Sequence, residues 1–405
     1  MKKTLFLIVA AVAVVALIIV SCKGRERKVA QPTDGVQVEP IVVPPNVKLY
    51  IECSSSMNGY FNEHGNAKDL RLSLYNLALK LKCDTLAFIN NKIIEVNGTA
   101  QGLLRNMSLS DFRNYGSRGD VAASDLSQIL NMVVAQTKAK RQLSLVVSDF
   151  IFCPSRVNAL TSLGPEAEKS SITRIFRDQN LSVAIFQVFA DFNGKFFTGH
   201  YEQKGRNVIE TNFPIEHKRP AYVWAIGSAD DVAWLMHRND LQDLHIANSL
   251  CFAPFKEVDY NLLDRKGSYK IDRKDNHHAE KLGKDRNGNV IIDIQTDLGA
   301  LPLTADYLTN VDNYATSDEN YAVQSVEKME NGKYKLTVHG GIVKAGSYDI
   351  YLKMKVPDWV AKSDMTDEWD IRQAGNEQKT FGFKALVDGV MDAMKTKSAW
   401  KSGAR

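Results

Sequence analysis

The chain has 405 residues, 44% of them hydrophobic and 24% charged. At 45.2 kDa and a mean hydropathy of −0.25, it has room for several domains at roughly 150 residues each, and wholesale disorder and multi-span membrane architecture are excluded. Lys and Arg number 51 against 47 Asp and Glu, so no excess of positive charge points to nucleic acid.

Lys2 and Lys3 open the chain, residues 5–20 are an unbroken apolar run, and Ile19-Val20-Ser21-Cys22 closes it. This order of charge, apolar run and small residue before a cysteine resembles a bacterial lipoprotein signal with its lipobox. The resemblance implies that residues 1–21 are a signal peptide, that cleavage leaves Cys22 as the first residue, and that its thiol carries a diacylglycerol. The protein would then be anchored in the cell envelope, in the membrane by its lipid. An uncleaved helix is the alternative, although the run falls short of the about 20 residues that span a bilayer. Residues 22–45 carry Arg25, Glu26, Arg27, Lys28 and four prolines without apolar periodicity, and read as a tether. Cys53, Cys83, Cys153 and Cys251 are too sparse for a disulfide scaffold.

From residue 46 the pattern is α/β. Residues 47–51 form a short, mostly apolar strand, and 68–82 place Leu70, Leu74, Leu77 and Leu81 on one helical face. Residues 85–90 read as a strand. Residues 125–135 carry Leu126, Ile129, Leu130, Val133 and Val134 at helical spacing, and 143–147 are a strand again. A short helix at 172–177, strands at 181–189 and 222–226, and a helix at 230–237 continue the alternation. The expectation is a doubly wound, mostly parallel sheet over 46–240.

Open sheets of this class bind at the carboxyl ends of their strands. There the sequence has Glu52-Cys53-Ser54-Ser55-Ser56 after the first strand and Ser148-Asp149 after another, with Ser124-Asp125 opening the Leu126 helix. The arrangement resembles the von Willebrand factor A domain, whose first strand ends in Asp-x-Ser-x-Ser, whose next loop supplies a Thr, and whose fourth strand ends in an Asp. The resemblance covers about 46–239 and implies a divalent-cation site formed by Glu52, Ser54, Ser56, Ser124 and Asp149. Two residues depart from it. Glu52 replaces Asp and moves the carboxylate by about 1.5 Å, and Ser124 replaces Thr but keeps the hydroxyl. Hydroxyls with one or two carboxylates suit a small hard cation, Mg²⁺ ahead of Ca²⁺. Each residue also has a local role open to it: Ser54 to Ser56 as a polar turn, Ser124 or Asp125 as an N-cap, and Asp149 as a loop cap.

Other motifs carry less. Cys153-Pro154-Ser155-Arg156 is similar to the sulfatase signature but lacks one residue between cysteine and proline. None of the eight histidines pairs with another at a zinc spacing, and His277-His278 sits in a polar stretch that reads as a solvated loop. Asp285 to Asn289 has its glycine in the wrong place for a calcium loop and reads as a turn. Cys53 and Cys153 would follow neighbouring strands, so a bridge and two free thiols both stay open.

Beyond residue 240 the period becomes two: Val290, Ile292 and Ile294, then Tyr334, Leu336 and Val338, then Tyr348, Ile350 and Leu352. These are half-exposed antiparallel strands of a β-sandwich-like domain over 241–405. A C-terminal helix with Phe383, Leu386, Val387, Val390, Met391 and Met394 on one face is expected to pack on it. The resulting expectation is a lipid-anchored envelope protein, without catalysis of its own, that binds a protein or glycan partner through the A-like domain. A metal-dependent hydrolase using Asp149 and Glu52, and a structural assembly component with a degenerate metal site, are the alternatives.

Overall fold

The computed structural model describes residues 45–62, 69–83, 85–122, 124–152, 164–204, 207–241, 244–254, 257–265, 268–272, 274–343 and 346–398, together with the backbone of strand β1, Val9–Val12. Cys22, the tether up to residue 44, and Cys153 with the sulfatase-like segment lie outside the described residues. No helix among the described residues is long and apolar enough to cross a membrane.

The chain divides into two units. One comprises Asn46–Pro254, Gly299–Asn313 and Lys353–Arg405. Its strands are β2 (Val47–Glu52), β3 (Thr85–Ile89), β4 (Ile93–Glu95), β5 (Leu143–Ser148), β6 (Ser182–Lys204), β7 (Asn207–Gly227) and β8 (Ile246–Phe252). They form one seven-stranded mixed sheet in the order β4-β3-β2-β5-β7-β6-β8. Alternation decides which layer each residue joins. On β2, Leu49 and Ile51 pack with Leu70, Leu74 and Leu77 of helix α1 (Asp69–Lys80), with Leu104 of α2 (Ala100–Asn106) and with Phe112 of α3 (Leu109–Gly116). Tyr50 points the other way, among Leu126, Ile129, Leu130 and Val133 of α4 (Leu126–Lys140) and Ile172 and Phe176 of α5 (Pro165–Phe176). Helices thus cover both faces, and full burial of each such side chain contributes about 1.5–3 kcal/mol. Helices α2 and α3 escaped the reading of the sequence, although Ser108 and Asp111 form a capping box at the start of α3.

The sheet is less parallel than expected. Only β2 with β3 and β2 with β5 pair in parallel; β3 with β4, β5 with β7, β7 with β6 and β6 with β8 are antiparallel. The strands expected at 181–189 and 222–226 are the roots of one long hairpin, whose ladder runs from Ser182↔Gly227 to Lys204↔Asn207. A direct return of the chain makes neighbouring strands antiparallel and leaves no crossover helix on that stretch of sheet.

That missing helix explains a second correction. The C-terminal helix Phe383–Ser398 does not pack on the β domain. It fills the face left open by the hairpin, placing Phe383, Leu386, Val387 and Val390 with Val183, Ile185, Tyr222 and Trp224. Its Gly389 sits so close to α5 that a Cβ would lie 2.7 Å from Lys169 O, and Thr173 Oγ1 donates to Gly389 O at 3.1 Å. The main sheet also runs past residue 240, through β8 to Phe252.

The other unit comprises Met1–Pro45, Phe255–Leu298 and Tyr314–Leu352. Its strands are β9 (Tyr260–Leu262), β10 (Lys270–Asp272), β11 (Asp275–Glu280), β12 (Val290–Thr296), β13 (Tyr314–Thr316), β14 (Tyr321–Lys328), β15 (Tyr334–Gly340) and β16 (Gly346–Leu352). They form a four-stranded antiparallel sheet, β14-β15-β12-β9, and a five-stranded sheet, β10-β11-β1-β16-β13, in which β1 runs parallel to β16. Ile292, Ile294 and Val338 of the first sheet and Tyr348 and Ile350 of the second line one small shared cavity, as in a sandwich. His277 and His278 belong to β11 rather than to a loop, with the Nδ1 atoms of both against the Asp275 carboxylate.

A buried carboxyl pair as candidate functional site

Strands β2 and β5 lie side by side and parallel, with Ile51 opposite Val147, so their carboxyl ends deliver Glu52 and the pair Ser148-Asp149 to one edge. After Glu52 the chain turns through Ser54 and Ser55 into a short 3₁₀ helix, Ser56–Tyr60. Ser55 ties this turn to the loop before α4: its backbone N–H and its hydroxyl both donate to Val121 O, at 3.0 and 2.9 Å. Within that loop Asp125 caps α4 by accepting from Gln128 N–H. Capping by Asp125 leaves the Ser124 hydroxyl free for the sheet edge.

The five residues expected to form a site meet there. Ser124 Oγ donates to Glu52 Oε1 at 2.7 Å, across 72 residues of sequence. Ser54 and Ser56 share a hydrogen bond at 2.9 Å. Ser56 in turn serves Asp149, whose Oδ1 also accepts from Ile151 N–H at 3.3 Å. Ser148 was not among the expected residues, yet its hydroxyl donates to Glu52 Oε2 at 2.6 Å. The signal was present in the sequence: a serine at the last position of a buried strand, in register with the acid on its neighbour. Arg219 was missed too. It stands on β7, 1% exposed, with its field on Asp149, and only the hairpin geometry brings it to this edge.

The site is closed. Glu52 is 0% exposed, Asp149 1%, and the serines 54, 124 and 56 are 3%, 5% and 8%. Burial raises the Glu52 carboxyl above the ordinary glutamate range, and repulsion from Asp149 adds to it, against the opposing hydrogen bonds of Ser124, Ser148 and Ser54. Burial likewise raises Asp149, against Ser56, Arg219 and the Ile151 N–H. Two adjacent carboxylates cannot both ionise in so dry a place without added positive charge.

This donor set fits a small hard cation. Every side chain offers oxygen, and a serine that donates its proton to a carboxylate turns its lone pairs outward, the polarity a cation needs. Glu52, Asp149, Ser54, Ser56 and Ser124 would hold it, with Ser148 fixing Glu52 from behind. No histidine is part of the site, so a soft or nitrogen-seeking metal is a poorer match. Cys53 beside the pair is buried, its thiol pushed up to about 12 by burial first and the Glu52 charge second, and it points back to Ile89 O at 3.5 Å. Among the described residues Cys53 and Cys251 are free thiols.

Comparison with protein-family models, with curated proteins and with solved structures finds no match for the chain.

Proposed function

We propose that the protein is a lipid-anchored protein of the bacterial cell envelope whose α/β unit is a von Willebrand factor A-like recognition domain. It binds a protein or glycan partner, and a divalent cation, Mg²⁺ before Ca²⁺, completes the site at Glu52, Ser54, Ser56, Ser124 and Asp149. One observation carries this reading: residues from three separate stretches of sequence converge at the carboxyl ends of two adjacent parallel strands, in the chain order of that family. Among the described residues no histidine or third carboxylate joins Glu52 and Asp149, which favours binding over metal-dependent hydrolysis.

Calorimetry with Mg²⁺ and Mn²⁺ tests the cation, and capture of partners from envelope extracts with and without chelator tests the recognition. Millimolar binding that Asp149→Ala removes, with partners lost on chelation, is the expected result. A second reading is favoured by the closure of the site. If a proton instead of a cation relieves the Glu52 and Asp149 pair, the protein is a structural assembly component, and neither titration nor chelator has an effect.

A further inference from the structure

Strand β1 lies in the middle of a sheet, and it belongs to residues 1–21, the signal peptide of the reading above. It pairs antiparallel with β11, Val9 opposite Ala279 and Ala10 opposite His278, and parallel with β16, from Val9 opposite Gly346 to Val12 opposite Asp349. In the order β10-β11-β1-β16-β13 it is the strand that joins the β10-β11 pair to the β16-β13 pair. Cleavage before Cys22 would take it away. What stays is a slot one strand wide, about 9–10 Å between β11 and β16, whose walls present unpaired backbone N–H and C=O groups. Two-stranded remnants are marginal on their own, so filling the slot stabilises the mature unit.

The two sides of the slot ask for different side chains. Ala279 and Tyr348, opposite Val9 and Ala11, are buried, and Tyr348 faces the other sheet across the small cavity. The other side carries His278, Ser347 and Asp349, opposite Ala10 and Val12. His278 is held by Asp275. Asp349 has no cation within 4 Å among the described residues, and burial first, then repulsion from Glu257, hold its carboxyl above the ordinary aspartate range. A strand that is apolar on one face and basic at the place of Val12 fits both sides. The tether does not supply one. Val36-Gln37-Val38-Glu39 in the register of Val9–Val12 brings Glu39 beside Asp349, and Ile41-Val42-Val43 is enclosed by Pro40 and Pro44, which cannot donate within a ladder.

We propose that removal of the signal peptide turns the β unit into an acceptor for an extended strand of a protein partner, which enters between β11 and β16, parallel to β16, apolar on its inner face and basic opposite Asp349. The inference rests on the lipoprotein reading above and adds a second binding surface, in another unit than the Glu52 site. Backbone hydrogen bonds supply its affinity, and the alternating side chains its specificity.

The test uses the full mature protein, whose mass shows whether residues 1–21 are gone, and as probe a synthetic peptide of residues 5–14 with a lysine tail at its amino end. Slot-facing amides of β11 and β16 should exchange fast in the protein alone, and about tenfold more slowly with peptide at ten times its dissociation constant. By calorimetry, Val12→Lys in the peptide should tighten binding about threefold and Val12→Glu weaken it about threefold, and Asp349→Asn in the protein should remove the difference between them. Slow exchange in the mature protein without peptide means that the tether or a second copy fills the slot, and overturns the proposal. A peptide that leaves exchange unchanged overturns it as well, and equal binding of the Lys and Glu peptides overturns the basic residue opposite Asp349. A protein that keeps residues 1–21 ends the lipoprotein reading and the slot with it, a result that the mass distinguishes from failure of the slot alone.

Discussion

Ser148 Oγ donates to Glu52 Oε2 at 2.6 Å and accepts from Phe150 N–H at 2.8 Å, so one hydroxyl links the ends of two parallel strands and starts the loop that carries Asp149. Ser148→Ala removes both bonds from a buried carboxyl and a buried amide. A loss of about 1–3 kcal/mol in urea unfolding is expected. A change under about 0.3 kcal/mol would show that the bond contributes nothing net.

Asp149→Ala probes the cation. With ion at a hundred times its dissociation constant, mass action stabilises the wild type by about 2.7 kcal/mol. Thermal unfolding with and without Mg²⁺ should show that increment in the wild type and lose it in the variant. An equal shift in both would place the ion elsewhere.

Gly59 lies in the 3₁₀ helix that begins at Ser56, and an added Cβ would meet the Phe192 ring at 2.3 Å. Across the contact, a Cβ on Gly194 would meet Gly59 Cα at 2.7 Å. Gly59→Ala should cost about 1–3 kcal/mol by overpacking and, by moving Ser56, weaken any ion-dependent stabilisation. Wild-type stability in this variant would mean that the helix shifts freely.

Glu168 shares the expected pH dependence with the other buried carboxyls, Glu52, Asp149 and Asp364. Burial first, then repulsion from Asp125, raise its carboxyl to about 7, and its Oε1 is buried without a hydrogen-bond partner among the described residues. A free glutamate titrates near 4.5, so between about 4.5 and 7 the native state holds a proton that the unfolded chain has released. Stability should therefore fall as pH rises through that window and level off above it. Glu168→Gln should make the slope shallower without abolishing it, as read from unfolding midpoints between pH 4 and 8; an unaltered slope would assign it wholly to the other buried carboxyls.

Cys22→Ala tests the anchor. Labelled fatty acid should be incorporated by the wild type and not by the variant, which should accumulate as an uncleaved or unanchored form. Equal labelling would end the lipoprotein reading.

Local patterns sufficed wherever the determinant was local. Leu70, Leu74 and Leu77, or Leu126, Ile129 and Leu130, mark helix faces because 3.6-residue spacing buries them together whatever lies opposite. The convergence of Glu52, Ser124 and Asp149 was legible because parallel strands joined through helices must deliver their carboxyl ends to one edge. What the sequence could not decide depends on contacts distant in the chain. Apolar strands such as Val183 to Phe189 read alike in a parallel and an antiparallel ladder, and only the hairpin register distinguishes them. The C-terminal helix had an apolar face that suited any partner, and the stretch of sheet without a crossover helix claimed it. Nothing in the sequence marks Arg219 as buried, because burial is a property of the neighbours, here Phe192, Phe196 and Lys379, rather than of the residue itself.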